Sequence, residues 1–186
     1  VGANGFAYTN NVNGVSINVG YVPAGIVSTN QTGAVGTIGA GTGSSSIALS
    51  GSPMDGLTVY AGTGTKANAT SVENEDDLMT YAAKYAYGPV TVGYQFSEYD
   101  TYNSATDYDT TGYSIAYAIT DDLSVSYAER TVDIGGNTVD EEQSGLSIGY
   151  SMGGMTIKAH NNVVDNVAGT ATNDLEHMEI AVSFAF

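Results

Sequence analysis

The stretch Tyr81-Ala-Ala-Lys-Tyr-Ala-Tyr-Gly-Pro-Val-Thr-Val-Gly-Tyr-Gln-Phe96 decides the fold. Met79, Tyr81, Ala83, Tyr85 and Tyr87 share one parity, and Gly88-Pro89 makes a two-residue connection. Val90, Val92, Tyr94 and Phe96 then carry the large side chains onward on the same face. A period of two marks β-strands with one apolar face. The opposite face, with Thr91, Gly93, Gln95 and Ser97, is small or polar. The same alternation recurs in Tyr113–Ile119, Leu123–Tyr127, Leu146–Met152, Met155–Ile157 and Met178–Phe186.

A soluble sandwich would explain any one of these strands as well as a barrel does. The connections discriminate. Gly88-Pro89, Thr120–Asp122 and Gly153-Gly154 are tight, whereas 97–110, 131–144 and 163–175 are long and rich in Asp, Asn, Thr and Gly. Short turns at one end and long loops at the other predict a transmembrane, antiparallel, up-and-down β-barrel. Strands of about 9–11 residues fit a tilted membrane crossing. Upstream, Phe6 and Tyr8 lead through Asn10–Gly14 to Val15, Ile17, Val19 and Tyr21, and Ile47 and Leu49 lead through Gly51–Gly56 to Leu57 and Val59. Residues 23–46 are ambiguous. The whole chain, 1–186, reads as one all-β barrel domain of about eleven strands.

Composition agrees. Hydrophobic residues make up 42% of the 186 residues, yet no run approaches the ~20 apolar residues of a spanning helix. Four basic residues stand against 20 acidic ones, a net charge of −16, the wrong sign for a nucleic-acid partner. With no Cys there are no disulfides and no thiolate metal sites. Walker, GxGxxG, HExxH and GxSxG patterns are missing, and the His residues point away from lipid by parity, so an enzyme is not expected.

The last ten residues, His177-Met-Glu-Ile-Ala-Val-Ser-Phe-Ala-Phe186, resemble the C-terminal strand of Gram-negative porins. Met178, Ile180, Val182, Phe184 and Phe186 match that family's alternating apolar ending on an aromatic. The Tyr- and Gly-rich hairpins upstream resemble porins of alphaproteobacterial type. The resemblance implies an outer-membrane channel for passive diffusion of ions and small hydrophilic solutes. It also implies a homotrimer, and a terminal strand that is read by the barrel-insertion machinery. Barrels of that family have about sixteen strands and a loop folded into the pore. Residues 23–46 are one candidate for such a loop. With Phe186 at the periplasmic end, strand counting starts this chain outside the cell, so further N-terminal strands are expected before Val1. Two rival readings stand: a plugged barrel acting as adhesin, receptor or structural anchor, and a soluble or fibrous extracellular acidic β-protein.

Parity places Lys84, Arg130, Lys158, His160, His177 and Glu179 on the polar face, hence in the lumen. A cation on the lipid face would cost ~2–4 kcal/mol at the midplane. These residues read either as a cationic wall strip that tunes ion selectivity or as salt bridges filling a closed barrel. Lys158 and Glu179 share parity on neighbouring strands and could pair, and Lys66 falls in a loop. His160 and His177 would need Glu179 as a third metal ligand, and solvated lumenal His is the better reading. Acidic residues gather in the predicted outer connections: Glu73, Glu75, Asp76 and Asp77; Glu98, Asp100, Asp107 and Asp109; Asp133, Asp140, Glu141 and Glu142; Asp165 and Asp174. They read either as solvated loops or as Ca²⁺ or Mg²⁺ ligands bridging to lipopolysaccharide. Asp107-x-Asp109-x-Thr111-Gly112 resembles part of a calcium loop but lacks the bidentate Glu.

Overall fold

The computed structural model describes residues 5–23, 43–68, 71–102 and 107–185. These form one antiparallel sheet of eleven strands in which each strand pairs with its sequence neighbours. The strands are β1 (Phe6–Val12), β2 (Val15–Val22), β3 (Ser44–Met54), β4 (Leu57–Asn68), β5 (Ser71–Tyr87) and β6 (Val90–Asp100). They continue as β7 (Tyr108–Ala118), β8 (Leu123–Ile134), β9 (Glu141–Met152), β10 (Met155–Asp165) and β11 (Leu175–Phe184). A 3-10 turn, Val167–Gly169, lies between the last two. Phe186 and residues 24–42, most of the segment considered for an inward loop, fall outside the described residues.

The tight turns sit at one end of the sheet. Asn13 (φ 52°) and Gly14 (φ 83°) both lie in the left-handed region. That is the backbone of a two-residue hairpin turn whose twist matches the flanking strands. Gly56 (φ 76°) is more constrained, because a Cβ there would lie 2.2 Å from the Ala86 carbonyl oxygen.

At the other end the strands run further than the sequence suggests. The long connections shrink to 101–107, 135–140 and 166–174. The reason is that antiparallel ladders satisfy the backbone beyond the apolar band as well as within it. Polar residues therefore continue the strands. Glu73, Glu75, Asp76 and Asp77 lie in β5 rather than in a connection, and Glu98, Asp100, Asp109, Asp133, Glu141, Glu142 and Asp165 also lie on strands. Lys66, expected in a loop, lies on β4 opposite Asp76.

Register puts the large side chains on one continuous face. Tyr85, Val92, Ile115, Tyr127 and Leu146 form one cross-strand row. Rings reinforce it: Tyr81 stacks on Phe96 at 5.1 Å, and Tyr94 meets Tyr113 at 5.3 Å. Such pairs add about 0.5–1.5 kcal/mol beyond area. This apolar face is the convex one and stays uncovered: Ile180 is 65% exposed and Met178 71%. Among the described residues Val132 is the buried apolar residue. Among the described residues the large side chains point outward with no core behind them, the arrangement of a sheet whose apolar face is suited to lipid.

Within the described residues β1 and β11 are the edges of the sheet. Eleven antiparallel strands leave these two edges running in the same direction.

Candidate functional site: a polar trough on the concave face

The concave face of β4–β10 encloses about 660 Å³. Tyr60, Lys84, Gln95, Ser114, Arg130 and Asn162 are among its lining residues. Alternation creates it, since every second residue faces inward and most of these are Gly, Ala, Ser or Thr. Lys84 stands opposite Gly93, which pairs in turn with Ser114, and Ser114 pairs with Ala128. Small residues leave the trough open where Lys84 stands.

The trough brings together two of the six expected lining residues, Lys84 and Arg130. Lys158, His160, His177 and Glu179 share the concave face but lie on β10 and β11, towards the open edge. The ladder sets Glu179 opposite His160 and Lys158 opposite Ala181, so the expected Lys158–Glu179 pair is diagonal rather than direct. His160 Nδ1 is 2.8 Å from the Ser147 hydroxyl across the β9–β10 ladder. His177 stands opposite Asn162. Among the described residues no three His, Asp or Glu side chains are grouped to hold a metal.

Sequence reasoning missed the side chain that organises the long-connection end of this face. Glu141, expected in an outer loop, is on β9 with its side chain 14% exposed. Its Oε1 lies 3.8 Å from Arg130 Nη2 and accepts a hydrogen bond from Gln143 Nε2 at 2.5 Å. Its Oε2 accepts one from the Ala168 backbone N–H at 2.7 Å. Parity would have found it, because Glu141 is in phase with the small residues Gly145, Ser147 and Gly149. Tyr60 was legible in the same way, from its alternation with Val59 and Ala61.

Carboxylates occupy both faces of the strand extensions beyond the apolar band. On the concave side Asp76 is 8% exposed. Its Oδ1 accepts the Tyr102 backbone N–H at 3.1 Å and its Oδ2 accepts the Tyr99 hydroxyl at 2.9 Å. These bonds hold its carboxyl below the ordinary value of 3.8, the Tyr102 bond most, with Lys66 adding a smaller pull. On the convex side Asp77 pairs with Asp100, and Glu98, Asp109 and Asp133 form one row across three strands. Asp100 and then burial push the Glu98 carboxyl up. Burial and then Asp100 and Asp133 push Asp109 up. Asp107 does not join this row; its Oδ1 accepts the Thr101 N–H at 2.7 Å and the Thr101 hydroxyl at 3.0 Å, fixing the β6–β7 turn.

Comparison with known proteins fits this geometry. A family profile described as Gram-negative porin matches residues 2–185. No curated protein matches the sequence. A porin structure refined at 1.8 Å superposes with a TM-score of 0.71 at 16% identity, covering 97% of this chain and 60% of the other. OmpT, an outer membrane protein of Vibrio cholerae, folded in vitro, gives 0.61 at 13% identity, covering 97% of this chain and 63% of that one. The outer-membrane-expressed form of that protein gives 0.62 at 14%, with coverage of 97% and 64%. The chain thus spans under two thirds of the length of these structures, and at such identities the likeness is one of fold.

Proposed function

Because the chain belongs to the Gram-negative porin family, we propose that it forms most of the wall of a water-filled outer-membrane channel. Ions and small hydrophilic solutes diffuse through it without a chemical step. The observation that carries this reading is the pairing of an apolar convex face with a polar concave trough holding Lys84 and Arg130. A fixed cation in a narrow aqueous space attracts anions and repels cations at close range. The trough would supply the transverse field, and the lipid-facing tyrosines and aliphatics the anchorage.

The sheet's two edges run the same way, so an all-antiparallel closure takes an odd number of further strands. Five would complete the sixteen expected from the family resemblance. In this reading the tight turns face the periplasm and the strand extensions face outward. The convex carboxylate rows then stand at lipopolysaccharide height, where Ca²⁺ or Mg²⁺ would bridge them to lipid phosphates. The terminal strand would be the segment read by the insertion machinery, and the working form a trimer.

The test is conductance of the full-length protein in planar bilayers. Discrete open-channel steps are expected. Replacing Lys84, Arg130 and Lys158 together with Glu should move the reversal potential towards cations. Absence of steps, or selectivity unmoved by the triple change, refutes the reading.

A further inference from the structure

We propose that the concave face carries a binding platform for a neutral pyranose sugar at its long-connection end. The cross-strand row Leu78, Tyr99, Tyr108 and Ile134 supports the apolar face of the ring, and the hydroxyl-bearing row beside it takes the ring's O–H groups. This rests on the channel reading above. The four residues are consecutive ladder partners on β5, β6, β7 and β8. They are in phase with Lys84, Gly93, Ser114 and Arg130, so they belong to the wall of the trough and not to the apolar convex face.

The row is out of character with the wall around it. One step towards the tight turns the same strands present Thr80, Ser97, Thr110 and Val132, and one step further Ala82, Gln95, Gly112 and Arg130. Leu78 is 46% exposed and Tyr108 39%. Large apolar side chains left open on a polar wall, rimmed by polar groups, mark an interaction surface. The Tyr99 and Tyr108 rings stack at 6.3 Å with 30° between their planes, and the Tyr99 hydroxyl is fixed on Asp76 Oδ2 at 2.9 Å. The platform is therefore set before any solute arrives, which lowers the ordering cost of binding.

The polar row beside it decides what kind of solute fits. Thr80 Oγ1 donates to the Phe96 carbonyl at 3.1 Å, so in its 2.8 Å bond with Ser97 the Ser97 hydroxyl is the donor. Gln95 Nε2 donates to Ser97 Oγ at 3.1 Å. The hydroxyl protons of Thr80 and Ser97 are thus spent on the protein, and these oxygens offer remaining lone pairs. Such a wall accepts hydrogen bonds from O–H groups and gives little to an anion. Charge agrees. Directly beyond the aromatic row, Lys66 and Asp76 are ladder partners of opposite sign, so neither an anion nor a cation is favoured there. The fitting occupant is uncharged, with an apolar face and hydroxyl donors at its edge, which is the chemistry of a pyranose. Successive concave rows lie about 7 Å apart along a strand, so one ring resting on the tyrosines reaches the hydroxyl row. Thr110 also lines the trough, so a sugar held here stands at its mouth.

The experiment uses full-length protein in planar bilayers. Cellobiose, two linked pyranoses, is the probe, and sorbitol, a polyol without a ring, is the comparison at matched viscosity. Cellobiose should reduce the ion current in a saturable way, and sorbitol only as viscosity demands. Tyr108→Ala, in barrels with unchanged heat-modifiable gel mobility, should raise the half-blocking concentration about fivefold, the loss of one ring contact. Tyr108→Phe keeps the ring and should keep the block. Should Tyr108→Ala fail to assemble, Leu78→Thr gives the same test, with weaker block expected. Cellobiose that acts no more than sorbitol overturns the platform while leaving the channel reading intact. So does a saturable block that the assembled variant leaves unchanged. Saturable block by benzoate or benzyltrimethylammonium in place of cellobiose also overturns it, by making the row a site for a ring-bearing ion. A wild type that does not conduct overturns both readings.

Discussion

The assignment of faces makes a sharp stability prediction at Ile115 and Ser114, neighbours on β7 that point to opposite sides. Ile115 is 48% exposed on the convex face, between Val92 and Tyr127 in the cross-strand row. Ser114 lines the trough between Gly93 and Ala128. An Arg at Ile115 enters the middle of the apolar band and should cost ~2–4 kcal/mol in lipid. Losing the half-buried Ile itself removes about 1 kcal/mol of apolar contact, which Ile115→Ala measures separately. The difference between Ile115→Arg and Ile115→Ala should therefore be about 30- to 1000-fold in the folding equilibrium, at about 1.4 kcal/mol per factor of ten. Ser114→Arg enters water beside small neighbours and should cost under ~1 kcal/mol. It should instead move selectivity towards anions. Equilibrium unfolding in liposomes, read by the gel mobility of the folded barrel, measures the first quantity, and bilayer reversal potentials the second. Equal destabilisation by the two Arg variants would mean that the convex face does not meet lipid, and the reasoning from parity to lumen would fail with it.

Turn chemistry gives a second contrast. Gly56→Ala adds backbone overlap at Ala86 to an unfavourable φ, whereas Gly153→Ala (φ 60°) meets open space and bears only the ~1 kcal/mol conformational cost. Thermal unfolding should rank Gly56→Ala clearly below Gly153→Ala, and the reverse order would refute the hairpin geometry. Asp76 has a depressed pKa, so its carboxylate stabilises the β6–β7 turn above the unfolded-state pKa and loses that role as pH falls through the lower folded value. Proteolysis near Tyr102 should therefore rise on acidification below about pH 4, and Asp76→Asn should be cleaved at every pH. The convex row has the opposite sign. The raised carboxyls of Glu98 and Asp109 make it most stable when protonated, and stability falls as pH rises through the unfolded and then the folded pKa. At neutral pH, Asp109→Asn should raise thermal stability, by an amount that shrinks with added salt or Ca²⁺; a loss of stability would show that the row is not repulsive.

Much of this was legible because a strand's side-chain period is two, whatever surrounds it. Parity alone assigned Lys84 and Arg130 to the same face as Gly93, Ser114 and Ala128, and the ladder keeps them there. It failed where polar residues leave no apolar phase to read. Glu98, Asp109 and Asp133 look like loop residues in sequence, yet they continue strands, because the hydrogen-bonded ladder does not need lipid to propagate. The same gap hid Asp76, whose partners Tyr99 and Tyr102 lie on the next strand and turn.

The sequence by itself determined the fold class, the two faces of each strand and the shortage of basic residues, all of them consequences of local alternation and composition. Only the tertiary structure decided which of those cations stand together, that Lys158 faces Ala181 and not Glu179, and that the Ala168 N–H reaches the Glu141 carboxylate. Register and loop direction depend on contacts between residues far apart in the chain, from Asn137 to Ala168 and from Arg130 to Glu141. No local pattern encodes those contacts.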